Sequence, residues 1–438
     1  MTAWFAERAL LPDGLASDVR FEISDGRFTV VQRGGSADGA HRLPGLVLPG
    51  FANCHSHAFH RALRGRTQGD GTFWTWREQM YAAASVLNPD LYLDLARATY
   101  AEMALAGITT VGEFHYLHHA ADGRAYSNPN EMAEALRSAA RDAGIRLTLL
   151  DACYLAGGLG TDGHLALDAV QRRFADRGVD AWAERVDGLI DDDLTRIGTA
   201  IHSVRAVPAE AIESIVAATA GRPLHAHVSE QPAENETCLA FYGRTPVELL
   251  ADGGALGPQT SAVHATHLTP ADIAALGASR TTACFCPTTE RDLADGIGPA
   301  PALAGAGSRL SLGTDQHAVL DMFEECRALE TNERLAAGRR GTFTPQDLLA
   351  AATRHDSLGW PDAGALAIGA RADVVAVRLD SVRTAGADPA QVLFAASAAD
   401  VDTVLVDGRT VVRNGEHMLG NVAGLLVAAI DAVWDAQG

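Results

Sequence analysis

Leu46-Val-Leu-Pro-Gly-Phe-Ala-Asn-Cys-His55-Ser-His57 decides how the rest of the chain is read. An apolar run ends in two histidines one residue apart. A strand places alternate side chains on one face, so His55 and His57 point the same way at the strand's carboxyl end. Two imidazoles fixed side by side form half of a tetrahedral metal site. Alone, His-x-His is a weak signal, because such short patterns arise by chance. Its weight depends on whether other strands bring further ligands to the same place.

Working outward, apolar strands alternate with helical spacing. The expected strands are 45–52, 108–114, 145–151, 198–204, 223–229, 261–265, 281–286 and 309–314. Helices are expected at 91–106, 130–143, 209–219, 236–251 and 322–337. Eight strands with helical connections predict an α/β fold, a (β/α)8 barrel. A doubly wound sheet is the alternative, but no Gly-x-Gly-x-x-Gly turn follows the first strand. The ends read differently. Strand, Asp-Gly turn, strand occurs at 21–32 and again at 402–412, with a further strand at 372–378. These predict a small β-sandwich domain built from both termini, residues 1–47 and 356–438, flanking a barrel of residues 48–355.

Barrel chemistry sits at the carboxyl ends of the strands, and polar residues gather there. His55 and His57 follow strand one. Glu113, His115 and Tyr116 end strand two. His202 and Arg205 end strand four, His227 and Glu230 strand five, His264 strand six and Asp315 strand eight. A lone histidine or aspartate at a strand end is commonly a satisfied core group or a helix cap. Six strands delivering ligands or proton carriers to one rim raise the odds of a site.

Composition narrows the chemistry. The 438 residues carry a formal net charge of −20, which argues against a nucleic-acid partner. All 35 Lys+Arg residues are arginine, so Schiff-base and P-loop lysine chemistry are excluded. Six cysteines in a chain this long do not form a disulfide framework. Cys284 and Cys286 read as buried strand thiols. No apolar run is long enough to span a bilayer. The start, Met1-Thr-Ala-Trp-Phe-Ala-Glu-Arg8, lacks the layout of a secretory signal, so a cytoplasmic location is expected, with no membrane partner.

The segment Pro49–His57 resembles the strand-one motif of the amidohydrolase superfamily, and Gly364–Val375 its re-entry into the small β-domain. The resemblance implies metal ligands His55, His57, His227 and Asp315, with Glu230, His264 and Asp315 as catalytic groups. Binuclear branches of that family use a carboxylated lysine, so a lysine-free chain implies one divalent ion per subunit. Zinc is the expected ion, although three histidines and an aspartate also suit iron or manganese. A narrower resemblance, to the formimidoylglutamate deiminases, rests on His57–Leu63, Phe73–Tyr81, Gly112–His119, His202–Val207 and Cys286–Glu290. It implies a homodimer that hydrolyses N-formimino-L-glutamate to N-formyl-L-glutamate and ammonia in histidine breakdown. His60 departs from the glutamine of that pattern, and Gln316 is also unusual.

The implied mechanism is attack of a metal-activated hydroxide on the formimino carbon. Asp315 and His264 take the water's proton, and Glu230 pairs with the amidinium and protonates the departing nitrogen. Arginine binds carboxylates bidentately. Arg205, with His202 and Tyr116, is expected at one substrate carboxylate and Arg77 at the other, while His60 is expected among the contacts to the formimino group. A partner subunit's loop is one way to present Arg77; a surface arginine beside packed Trp74 and Trp76 is the plainer reading. Glu113 and His115 are expected to orient ligands. His118, His119, His164, His317 and His355 are expected to be structural or surface residues. The alternative function is deamination of a heterocycle such as guanine, cytosine or a thioadenosine-type nucleoside.

Overall fold

The computed structural model describes residues 2–69 and 71–437. Eight parallel strands form one sheet in chain order: Phe51–Ser56, Ile108–His115, Arg146–Cys153, Thr195–Ile201, Leu224–Val228, Thr260–His264, Thr282–Phe285 and Leu310–Leu312. The chain after the last strand returns to the first. Asp315 N donates to His55 O (2.9 Å), and His57 N donates to Asp315 O (3.1 Å). The result is a nearly closed barrel with helices between its strands. The first three strands are buried at every residue, as helix-covered parallel strands must be. Gly313 makes the closure possible, because a Cβ there would lie 2.8 Å from the Cβ and carbonyl oxygen of His55.

Two expected elements divide. The strand expected at 45–52 is two strands, His41–Pro49 in the terminal sheet and Phe51–Ser56 in the barrel. Gly50 is the break, where a Cβ would meet the Thr109 side chain at 2.4 Å. The helix expected at 236–251 is also two, Pro232–Tyr242 and Pro246–Asp252. Pro246 has no N–H to continue the first helix, and Thr245 caps the second, accepting from Glu248 N at 3.1 Å.

The β-domain expected from both termini is an eight-stranded mixed sheet. Thr2–Leu11, Gly14–Ser24, Arg27–Gln32 and His41–Pro49 come from one end of the chain. Val374–Val377, Val401–Val406, Arg409–Arg413 and Glu416–His417 come from the other. The halves join where Val374–Val377 pairs antiparallel with His41–Pro49. Asp25-Gly26 and Asp407-Gly408 have positive φ at both residues, the geometry that tight hairpins need. Buried Arg146 of the third barrel strand donates to Asp373 Oδ1 (2.9 Å) and Asp407 Oδ1 (3.0 Å), tying barrel to sheet.

Candidate active site

The strand carboxyl ends open on a cavity of about 220 Å³. His55, His57, His227 and Asp315 converge at its base. His57 Nδ1 lies 2.8 Å from Phe114 O, and His227 Nδ1 2.8 Å from His202 O. A carbonyl only accepts, so each Nδ1 carries the proton and each Nε2 turns a lone pair inward. Burial, reinforced by neighbouring imidazoles, lowers the His57 pKa to about 3 and holds His55 and His227 well below the usual range. His55 Nε2 stands 3.1 Å from His227 Nε2. Asp315 Oδ1 is 3.3 Å from His55 Nε2 and 3.4 Å from His57 Nε2. Neutral imidazole nitrogens and a carboxylate oxygen packed this closely fit a divalent cation among them, and the donor set suits zinc.

Backbone conformation aims these groups. Ser229, His264, Ala265, Asp315 and His317 all have positive φ, which is uncommon for non-glycine residues. They end or follow strands five, six and eight, so strain collects at the rim from which side chains turn into the cavity.

Around this cluster lies a set of buried titratable side chains. His264 Nε2 is 3.7 Å from Glu230 Oε1, and its Nδ1 is 3.6 Å from Glu290 Oε1. Burial disfavours a charged His264, but Glu230, Glu290 and Asp315 outweigh it and raise the pKa to about 10. Asp295 joins Glu230 and His264, the polar atoms of the three lying within 4.8 Å of one another. Burial, with Glu230 close by, pushes its carboxyl up to about 9. Sequence position gives Glu290 no role beyond closing the Cys286–Glu290 segment and leaves Asp295 and the buried Glu234 unmarked, because all three lie beyond the strand ends.

Glu113 accepts from Ser56 Oγ (2.8 Å) and Ala58 N (2.7 Å), bracing the chain on either side of His57. Its burial raises the pKa to about 8. His115 is not part of this brace. It packs with His118 and Asp151, and Asp151 is already held by Arg185 at 2.6 and 2.9 Å. His119, buried in the same network, lies 3.3 Å from Asp176. His317 is a buried strut, with Nε2 3.2 Å from Ser56 Oγ and Nδ1 2.9 Å from Thr314 Oγ1. His225 and His355 are also buried, His355 with Nε2 2.9 Å from Gly50 O, just ahead of the first barrel strand, whereas His164 is half-buried.

The cavity wall carries His60, Arg77, Tyr116, His202 and Arg205. His60 Nε2 lies 3.0 Å from Tyr116 Oη, and its Nδ1 is buried without a partner. Arg77 stands on the helix Phe73–Val86 of this same chain, with its guanidinium over Trp74 (4.8 Å) and Tyr81 (5.2 Å). Trp74 and Trp76 border the cavity as well as packing. Arg205 Nη2 donates to Glu230 Oε2 at 2.9 Å.

Residues 46–411 match the Amidohydrolase family. Residues 1–45 match the N-terminal domain of formimidoylglutamate deiminase HutF. The chain is 40% identical to a formimidoylglutamate deiminase of Pseudomonas aeruginosa, over 95% of this chain and 96% of the relative. It is 31% identical to an 8-oxoguanine deaminase of the same species, over 88% and 85%. Among solved structures, an amidohydrolase from Brucella melitensis superimposes with a TM-score of 0.92 at 32% identity, covering 99% of this chain and 100% of that one. An adenosine deaminase from Xanthomonas campestris, solved with bound zinc, shares the fold at a TM-score of 0.84 and 24% identity, over 100% and 98%. The chain belongs to the amidohydrolase family and carries the N-terminal domain of its formimidoylglutamate deiminases.

Proposed function

We propose that this protein hydrolyses N-formimino-L-glutamate to N-formyl-L-glutamate and ammonia. The observation that carries the reading is 40% identity to a formimidoylglutamate deiminase across 95% of the chain. The cavity supports it: two guanidiniums, Arg77 and Arg205, border the same space as the His–Asp cluster. A substrate with two carboxylates and a cationic amidine needs both kinds of wall.

His55, His57, His227 and Asp315 would hold the divalent ion, expected to be zinc. The ion supplies Lewis acidity that makes water a nucleophile near neutral pH. Asp315 accepts the water's proton on its carboxylate. His264, protonated between Glu230 and Glu290, steadies the attacking oxygen through Nε2. Glu230 pairs with the amidinium and carries a proton to the departing nitrogen. Water adds across the formimino C=N bond, the bond to the terminal nitrogen breaks, and ammonia leaves. Arg205, with His202 and Tyr116, binds one carboxylate, Arg77 binds the other, and His60 orients Tyr116. The active form is a cytoplasmic homodimer, with the chain divided into 1–47 plus 356–438 and 48–355, except that the sheet strand His41–Pro49 carries the first boundary on to Gly50.

The test is ammonia release from N-formimino-L-glutamate beside 8-oxoguanine, guanine, cytosine and 5′-methylthioadenosine. Turnover of the amidine alone is expected. Turnover of a base without the amidine would favour the heterocycle reading instead.

A further inference from the structure

Arg205 borders the cavity with one edge of its guanidinium already taken, although its Nε has no hydrogen-bond partner. Its Nη2 donates to Glu230 Oε2 at 2.9 Å, and its Nε lies 3.8 Å from Glu234 Oε2. Glu234 lies in the first turn of the helix Pro232–Tyr242, just after Glu230, and its Oε2 also accepts from Glu230 N at 3.2 Å. Glu234 is only 2% exposed, and Glu230 only 5%. Glu234 Oε1 has no hydrogen-bond partner. Two carboxylates therefore already face one guanidinium, and Glu230 faces His264 as well. A third carboxylate cannot simply add to this group, because like charges this close repel strongly where water is scarce. At Nη2 it competes with Glu230 for the same donor.

We propose that the Arg205–Glu230 pair is a latch that a substrate carboxylate opens, with Glu234 holding Arg205 in place throughout. This rests on the deiminase reading and names how that site selects its substrate. Glu234 is anchored by the Glu230 amide and is buried behind Arg205, so it stays. Glu230 Oε1 faces His264 Nε2 at 3.7 Å, so Glu230 is the partner that has other chemistry to do. The incoming carboxylate takes Arg205 Nη2, and the cationic amidine of the same molecule takes Glu230. One ion pair becomes two, with no charge left unanswered. A cationic amidine without a carboxylate leaves Arg205 on Glu230, and the proton carrier stays capped. Selection for the carboxylate then acts in the chemical step as well as in binding.

The experiment follows turnover of N-methylformamidine, an amidine with no carboxylate, by the metal-loaded wild-type enzyme with and without propionate. Propionate is expected to raise the rate several-fold, by taking Arg205 from Glu230. Arg205→Met is expected to turn over N-methylformamidine at least about tenfold faster than wild type without propionate, a part of the ~10²–10⁴ that an acid–base group commands. It is also expected to lose the response to propionate, and its kcat/KM for N-formimino-L-glutamate falls. A wild-type rate that propionate leaves unchanged or lowers would overturn the latch. So would an Arg205→Met enzyme of normal metal content that is slower than wild type on N-methylformamidine, as a merely structural arginine would give. Because propionate acts on the wild-type enzyme, the first arm stands even if the variant does not fold. Normal turnover of N-formimino-L-glutamate with neither gain removes the latch and leaves the deiminase reading intact. Absence of that turnover removes the reading, and the latch with it.

Discussion

His227 illustrates how one residue is prepared for one task. Its Nδ1 faces the His202 carbonyl at 2.8 Å, so the tautomer is set before any ion arrives. His227→Ala is expected to abolish activity and lose the bound metal, as metal analysis of purified protein would show; stoichiometric metal in the variant would remove His227 from the ligand set. Glu230→Gln should behave differently. It removes a proton carrier and leaves the ligands alone, so kcat is expected to fall by ~10²–10⁴ with metal content unchanged. The histidines and the aspartate proposed as ligands stand at strand ends, where barrel geometry sends side chains to one rim. The roles of Glu290, Asp295 and Glu234 were not legible, because each acts on a group that its own sequence position does not reveal. His115 shows the converse. It ends strand two, as a rim residue should, yet packs with His118 and Asp151.

At the scale of elements, the chain's return from strand eight to strand one positions the site. Thr314 N and Asp315 N both donate to His55 O, at 3.1 and 2.9 Å. This fixes Asp315 against the His-x-His pair. Gly313 lets the two segments touch. Gly313→Ala would force a methyl group to within 2.8 Å of His55 Cβ and O, an overpacking that costs about 1–3 kcal/mol. A lower melting temperature and weaker metal retention are expected together, measured by calorimetry and metal titration. A normal metal affinity would separate the closure from the site. The break at Gly50 and the divided helix near Pro246 belong to this scale too. The apolar pattern is continuous across both, so periodicity alone runs the elements together. The interruption comes from where the chain must change sheet and where proline removes a donor.

Across the whole molecule, the barrel and the terminal sheet are pinned by a buried charge pair. Arg146, fully buried in barrel strand three, meets Asp373 and Asp407 of the sheet. Burial alone would raise the Asp373 pKa, but Arg146 outweighs it and holds the carboxyl below its ordinary range. A carboxylate depressed in the folded state contributes stability that is complete above the unfolded pKa of about 3.9. That stability is lost as pH falls through the folded value. Asp373→Asn is therefore expected to destabilise the neutral protein by about 3–5 kcal/mol, the cost of leaving a buried charge short of its partner. It is also expected to flatten the acid limb of the stability curve below about pH 4. Chemical denaturation at pH 7 and pH 3 checks both. An unchanged acid limb would exclude Asp373 as its source.

The sequence by itself determined the alternation of strands and helices, the hairpins at both ends, the absence of lysine and the rim of histidines and carboxylates. These are local patterns, written in spacing and residue type. Only the tertiary structure decided which rim residues meet. It set His115 apart from His57, brought Asp315 back to His55 across the barrel seam, and placed Arg205 on Glu230 before any substrate. Such contacts join residues far apart in the chain, and their distances follow from barrel closure and burial, which no local pattern encodes.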